Sequence, residues 1–252
     1  MVRGDLRAAV KASIERLHPP RFFSDGTTPV IGALIPLAAE ESRHVRSRRL
    51  RAGDRVVLLD GRGGGGEGPL DASCAAAFIE STTQDAGEAV CRVTLLLAAA
   101  EPARIEWAIE KATECGVHRI VLVAAERSQA SHVKLLENRL ERLSRIAAEA
   151  VKQCGRSVIP GVQGPVSLEA AMREAPRPLY VASPGASPHT GLMGRAAGAL
   201  SLSIAIGPEG GFSDREGALF ESAGAVFASL GPRILRLETA VVASLVRLVD
   251  SV

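Results

Sequence analysis

Two glycine–proline stretches hold the residues best suited to chemistry. The first, IGPEGGFSDRE (206–216), follows the apolar run Ser203–Ile206 and spends Gly207, Pro208, Gly210 and Gly211 on one turn around Glu209. Glycine reaches φ > 0 and lets peptide groups come within contact distance of a ligand. Ser213 and Glu216 have the spacing of a capping box, so the stretch reads as strand, turn, helix N-terminus. The second, LGPRILRLETA (230–240), repeats the order: strand, Leu230-Gly231-Pro232, an irregular stretch, then a helix opening at Glu238-Thr239. Two such turns at the same end of neighbouring strands can hold one small molecule by main-chain contacts; tight turns without a ligand remain the plainer alternative. No Lys-Ser/Thr follows either turn and G-x-G-x-x-G is absent, which disfavours a nucleotide-phosphate site. The histidines (His18, His44, His118, His132 and His189) lack metal-ligand spacing, and the cysteines (Cys74, Cys91, Cys115 and Cys154) never form C-x-x-C. No metal is expected.

The elements that must position these turns alternate. Beyond Pro102 the pattern predicts a helix over 103–116, a strand over 119–125, one long helix over 134–155 and strands over 178–183 and 202–207. A helix at REGALFESAG, a strand at AVFASLG and a final helix at ETAVVASLVRLVDSV complete the order. Such alternation is the mark of an α/β fold with a parallel sheet, whose ligands bind at the carboxyl ends of strands. Residues 22–97 differ. Short β-prone runs (VIGALI, RVVLLD, CAAAFIE and AVCRVTLLLA) separated by turn signals suggest a small barrel or sandwich. GRGGGG (61–66) reads as a flexible hairpin loop. Residues 1–18 carry a helical stripe (Val2, Leu6, Val10, Ile14 and Leu17) that should end before Pro19-Pro20.

Charge is unevenly spread. Residues 1–55 hold 11 Lys/Arg against 6 Asp/Glu, although the whole chain nets only +2. SRHVRSRRLR (42–51) contains five arginines and no acid. Arginine suits phosphate because its planar fork donates two parallel hydrogen bonds; a solvated basic face is the bland alternative. No apolar run approaches the ~18–20 residues needed to cross a bilayer, and the first 20 residues are charged throughout, so a cytoplasmic protein without a membrane partner is expected.

IGPEGGFSDRE followed by LGPRILRLETA resembles the RsmE-type family of ribosomal RNA methyltransferases. KATECGVHRIVLVAAERS (111–128) and RIAAEAVKQCGRSVIP (145–160) are similar to two further family blocks. RFF (21–23) and RHVRSRRLRAGDRVVLLDG (43–61) are similar to its N-terminal domain, with Arg43-His44 where the family usually has two histidines.

The resemblance implies a helical extension over 1–19, a PUA-like RNA-binding β-barrel over 20–98 and a SPOUT methyltransferase domain over 99–252, its chain threaded into a trefoil knot. It implies S-adenosylmethionine (SAM) as methyl donor, N3 of a uridine in 16S rRNA as acceptor, and a homodimer. Ile206, Gly207, Glu209, Gly210, Gly211, Leu230, Gly231, Ile234, Leu235, Arg236 and Thr239 would hold SAM. Arg236, with Arg156 and Arg127 behind it, would stabilise the uracil anion, and Glu238 or Glu209 would take the proton. Arg21, Arg43, His44, Arg46, Arg48, Arg49 and Arg156 would contact RNA. A ribose 2′-O-methyltransferase of the same superfamily and a non-catalytic RNA-binding assembly factor are the rival readings.

Overall fold

The structure, a computed structural model, describes residues 19–184, 186 and 198–249, so the stripe at 1–18 lies outside the described residues. The described chain forms two units. One comprises residues up to Gly87 together with Lys152–Val158; the other comprises Glu88–Val151 and the described residues from Ile159 onward.

The second unit is built on β7 (Arg92–Ala98), β8 (Arg119–Ala124), β9 (Gly161–Ser167), β10 (Leu179–Ala182), β11 (Ser201–Ile206) and β12 (Val226–Ala228). They form one sheet in the order β12-β10-β11-β7-β8-β9, every pair parallel. Its inner strands β7, β8 and β11 are largely buried, as expected where both faces are covered. Alternate residues point to opposite faces. Val93, Leu95, Leu97, Ile120, Leu122 and Ile204 pack against α2 (Pro102–Glu114) and α7 (Leu237–Val249). Leu96, Val121, Val123, Val181 and Ala205 pack against α5 (Leu168–Glu174) and α6 (Asp214–Ser222).

Three expectations change here. β7 was expected in the N-terminal barrel, yet it pairs with β11 and β8 inside the parallel sheet. The boundary therefore falls at Gly87/Glu88, ahead of the 98/99 expected from sequence. The long helix expected over 134–155 is two helices, α3 (Ala130–Glu137) and α4 (Leu140–Cys154), with Asn138 as the C-cap of the first. β9 had no strand signal because GVQGPVS is glycine- and proline-bearing; it is tolerated at the edge, where a missing N–H costs no ladder bond.

The first unit holds a four-stranded sheet, β1 (Arg21–Phe23), β3 (Arg55–Leu59), β4 (Gly64–Pro69) and β6 (Ser81–Gln84), and a ribbon of β2 (Leu34–Pro36) with β5 (Ala76–Phe78). They enclose Phe22, Ile35, Val45, Val56, Leu58 and Ile79, Val45 coming from α1 (Glu41–Ser47). GRGGGG is not a flexible loop: Gly64–Gly66 belong to β4, paired on both sides. A Cβ on Gly64 would lie 2.5 Å from Asp60 Oδ2, and one on Gly66 2.5 Å from Pro29 Cβ. The glycines serve close packing.

Candidate active site

All six strands run the same way, so the turns after β10, β11 and β12 share one end of the sheet. β10 stands between β11 and β12, which corrects the expectation that the two Gly-Pro turns follow adjacent strands. Their strands are about 10 Å apart, two inter-strand spacings.

The first turn is held from several elements. Gly211 N donates to Pro208 O at 2.8 Å, and Gly211 takes φ +69°, a conformation glycine adopts freely. Phe212 stacks edge-on against Phe220 at 4.9 Å. The capping box is present: Glu216 N donates to Ser213 Oγ at 3.1 Å and Ser213 N to Glu216 Oε2 at 2.8 Å. Glu216 is only 2% exposed, and its other oxygen accepts from Glu126 N at 2.9 Å, which ties α6 to the segment after β8. Arg127 Nη1 donates to Gly210 O at 2.8 Å. Arg104 Nη1, from the first turn of α2, reaches Glu209 Oε1 at 3.0 Å. Hydrogen bonding from Ser213, then Arg215, holds the Glu126 carboxyl below the usual carboxylate range.

The second turn leaves more open. Gly231 takes φ +122° and its N–H donates to Ser229 Oγ at 3.2 Å. Leu230 and Leu235 are half-buried against the core, while Arg236 is exposed. Glu238 Oε2 is buried without a hydrogen-bond donor, the one such side-chain atom among the described residues. Buried carboxylate oxygens are nearly always satisfied, so an orphan calls for a partner beyond the described residues. The amides of Glu209, Gly210, Ile234 and Leu235 have no protein acceptor among the described residues either. Gly210 is informative in a different way. It is outside the left-handed region, and a Cβ there would sit 3.5 Å from Arg127 Cδ, an ordinary contact. The protein alone therefore tolerates a Cβ at 210.

The structure brings together Gly207, Glu209, Gly210 and Gly211 in one turn and Leu230, Gly231, Leu235, Arg236, Glu238 and Thr239 around the other. Ile206 is instead core, and Ile234 is 88% exposed, so neither lines an apolar slot in the described chain. Glu209 is engaged by Arg104, which leaves Glu238 as the unpartnered carboxylate. Arg104 itself was not found from sequence: a first-turn helix arginine looks like surface, and its partner is 105 residues away. A small crevice lined by Thr94, Arg119, Gln163 and Glu174 lies against α5. It sits toward the amino ends of the strands, opposite the turns, and Arg119 is neutralised there by Glu174 at 2.8 Å.

In the first unit, Arg43, Arg46, Arg48 and Arg49 are exposed and none has a carboxylate partner among the described residues. Three of the expected RNA contacts stand differently. Arg156 is 3% exposed, so burial removes it from phosphate contact. Arg21 is half-buried, its guanidinium lying over Gly155. His44 Nδ1 pairs with Glu41 Oε2 at 2.8 Å, leaving only the far edge of the ring to solvent.

A parallel sheet with glycine turns at its carboxyl ends, a cation and an unsatisfied carboxylate accords with the family comparison. Residues 87–249 match the RNA methyltransferase domain and residues 37–68 the RNA methyltransferase PUA domain. "Ribosomal RNA small subunit methyltransferase E" of Synechocystis is 31% identical, over 84% of this chain and 71% of the relative. The protein of that name from Mycobacterium tuberculosis is 30% identical, over 89% and 88%. The chain belongs to the ribosomal RNA small subunit methyltransferase E family. Among solved structures, the Neisseria gonorrhoeae member bound to SAM superposes with a TM-score of 0.81 at 27% identity, covering 90% of this chain and 95% of that one. A Legionella pneumophila methyltransferase with SAM bound gives 0.77 at 29% identity, covering 89% and 94%.

Proposed function

We propose that this chain methylates N3 of a uridine in 16S rRNA with SAM as methyl donor. The observation that carries the reading is the pair of Gly-Pro turns at one end of the sheet, with amides that have no acceptor among the described residues and the orphaned Glu238 oxygen in the first turn of α7, two residues after Arg236. These groups fit SAM: main-chain donors for adenine and the methionine end, Leu230 and Leu235 for apolar contact, and a Gly210 position whose missing side chain leaves room for a ligand. When bound, SAM supplies a methyl group on a sulfonium, an electrophile that needs no metal.

The remaining tasks fall to the protein. The neutral imide of uracil is a poor nucleophile at N3. Arg236 donates to a uracil carbonyl and stabilises the negative charge that develops as the N3 proton leaves. Glu238 accepts that proton, which satisfies its oxygen only in the substrate complex. Alignment of N3 for in-line attack is worth roughly 7–11 kcal/mol. The guanidinium patch of α1 anchors the RNA through phosphates, which position the substrate without reading its sequence.

The finer architecture belongs to the same proposal: a C-terminal chain threaded as a trefoil knot, a closed PUA-like barrel, a homodimer and a cytoplasmic location. The sheet order, in which β10 and β11 are neighbours and β11 lies against β7, supports the knotted threading. The test is methylation of unmodified small subunits with labelled SAM and identification of the product nucleoside. 3-Methyluridine is expected; a ribose-methylated product would transfer the reading to the 2′-hydroxyl, and no product would end it.

A further inference from the structure

Three helices of this chain close in the same way. After α2, α4 and α6 the chain turns through a glycine in the left-handed region: Gly116 at φ +86°, Gly155 at φ +89° and Gly224 at φ +68°. Around two of these the hydrogen bonds are those of a Schellman closure, with Val117 N to Ala112 O at 3.0 Å and Ala225 N to Phe220 O at 2.9 Å. Helix α1 makes the same closure, Leu50 N to Val45 O at 3.2 Å, but the residue at the left-handed position is Arg49, at φ 56°. A Cβ in that region crowds the following carbonyl, which is why glycine holds the position elsewhere.

Among the described residues nothing rewards the arginine. Arg49 is exposed and has no carboxylate partner among the described residues. Several arginines elsewhere are neutralised, among them Arg55 by Glu67 and Glu80, Arg142 by Glu106, and Arg215 by Glu126 and Glu169. Glu41 of α1 could have balanced the patch, but it faces inward to Lys152 and His44. Asp54, across the turn, binds the Arg51 amide at 2.7 Å and no guanidinium. Arg43, Arg46, Arg48, Arg49 and Arg51 are therefore a concentration of uncompensated charge ending on a strained residue.

We infer that Arg49 is kept at this glycine position for its side chain: its guanidinium is a phosphodiester-binding anchor for RNA, and the fold gives up stability to present it. This rests on the reading of the chain as an rRNA methyltransferase and names the residue on which its RNA contact centres. Strained conformations persist where function requires them, and a planar fork is the group that matches a phosphate.

The test compares Arg49→Gly, Arg49→Ala and Arg49→Lys with the natural chain. Melting temperature and binding to 16S rRNA are measured, the latter across a salt series. Glycine should raise Tm by about 2–4 °C, since it removes the strain, while weakening RNA binding about tenfold at low salt. The slope of log affinity against log salt should fall by about 0.7–0.9, one phosphate contact. Alanine should lose the same affinity without the gain in Tm, and lysine should keep the slope. Unchanged affinity and slope in Arg49→Gly would overturn the inference, as would a lowered Tm. Methylation of small subunits by the natural chain is scored separately, so a failure of the parent reading is distinguishable from a failure of this one.

Discussion

At the scale of single residues the site turns on two neighbours of unlike exposure. Arg236 is exposed at the end of the second Gly-Pro turn, while Glu238, two residues on, buries one oxygen without a donor. A group orphaned in the free protein and satisfied by the reacting proton is suited to differential binding of the transition state. Glu238→Gln keeps the shape and removes the proposed base. Single-turnover methylation should slow by about 10²–10⁴-fold, with the SAM dissociation constant by calorimetry changed only a few-fold. An undiminished rate would leave Glu238 as an ordinary first-turn acid of α7. Arg236→Ala should lower turnover by about 10²–10³-fold, the usual effect of deleting one oxyanion donor, and Arg236→Lys should recover part of it.

At the scale of elements the question is what keeps a glycine turn in one shape. Arg104 from α2 holds Glu209 and Arg127 from beyond β8 holds Gly210, so successive turn residues are fixed by two different elements. Such tethers pre-organise the free amides and act on binding more than on chemistry. Arg104→Ala and Arg127→Ala should each raise the KM for SAM about 2–5-fold, since these partly exposed contacts are each worth about 1 kcal/mol or less. Turnover at saturating SAM should stay near that of the natural chain, and the double variant should depart from additivity because the pair restrains one loop. A fall in saturated turnover with KM intact would place the guanidiniums in the chemistry instead. The turn's boundaries were legible in sequence because their signals are local: the Ser213–Glu216 box, the buried strand before it and the glycines between. The tethers were not, because Arg104 and Arg127 meet the turn only through the sheet order. The same distinction explains β4 and β9. Their glycines answer neighbours distant in sequence, such as Pro29 against Gly66 and the Leu122 carbonyl against Gly164, so a local reading gives a loop where the fold has a strand.

At the scale of the whole molecule the two units are not consecutive in the chain. The first unit is completed by Lys152–Val158, which comes from between β8 and β9. Gly63 N donates to Ser157 O at 3.2 Å, and Ser157 Oγ donates to Ala86 O at 3.1 Å. Glu41 is buried beneath this segment, accepting from Lys152 Nζ at 2.8 Å, from His44 and from the Phe23 amide. Lys152 also lies 5.5 Å from the Phe23 ring centroid. Burial by itself pushes the Glu41 carboxyl up, but the bonds from Lys152 and His44 outweigh it and hold the group below its ordinary value of 4.5. A depressed carboxylate contributes stability above its unfolded value and loses it as pH falls through the lower folded value. Lys152→Met should reverse the sign, because burial then dominates. The charge left behind should destabilise the first unit by about 3–5 kcal/mol at pH 7, and the deficit should narrow as acid protonates Glu41. Hydrogen exchange at β1 and β3, compared between the two proteins at pH 7 and pH 4.5, reads this directly. An equal deficit at both values would mean that Lys152 acts through packing on Phe23 and not through its charge.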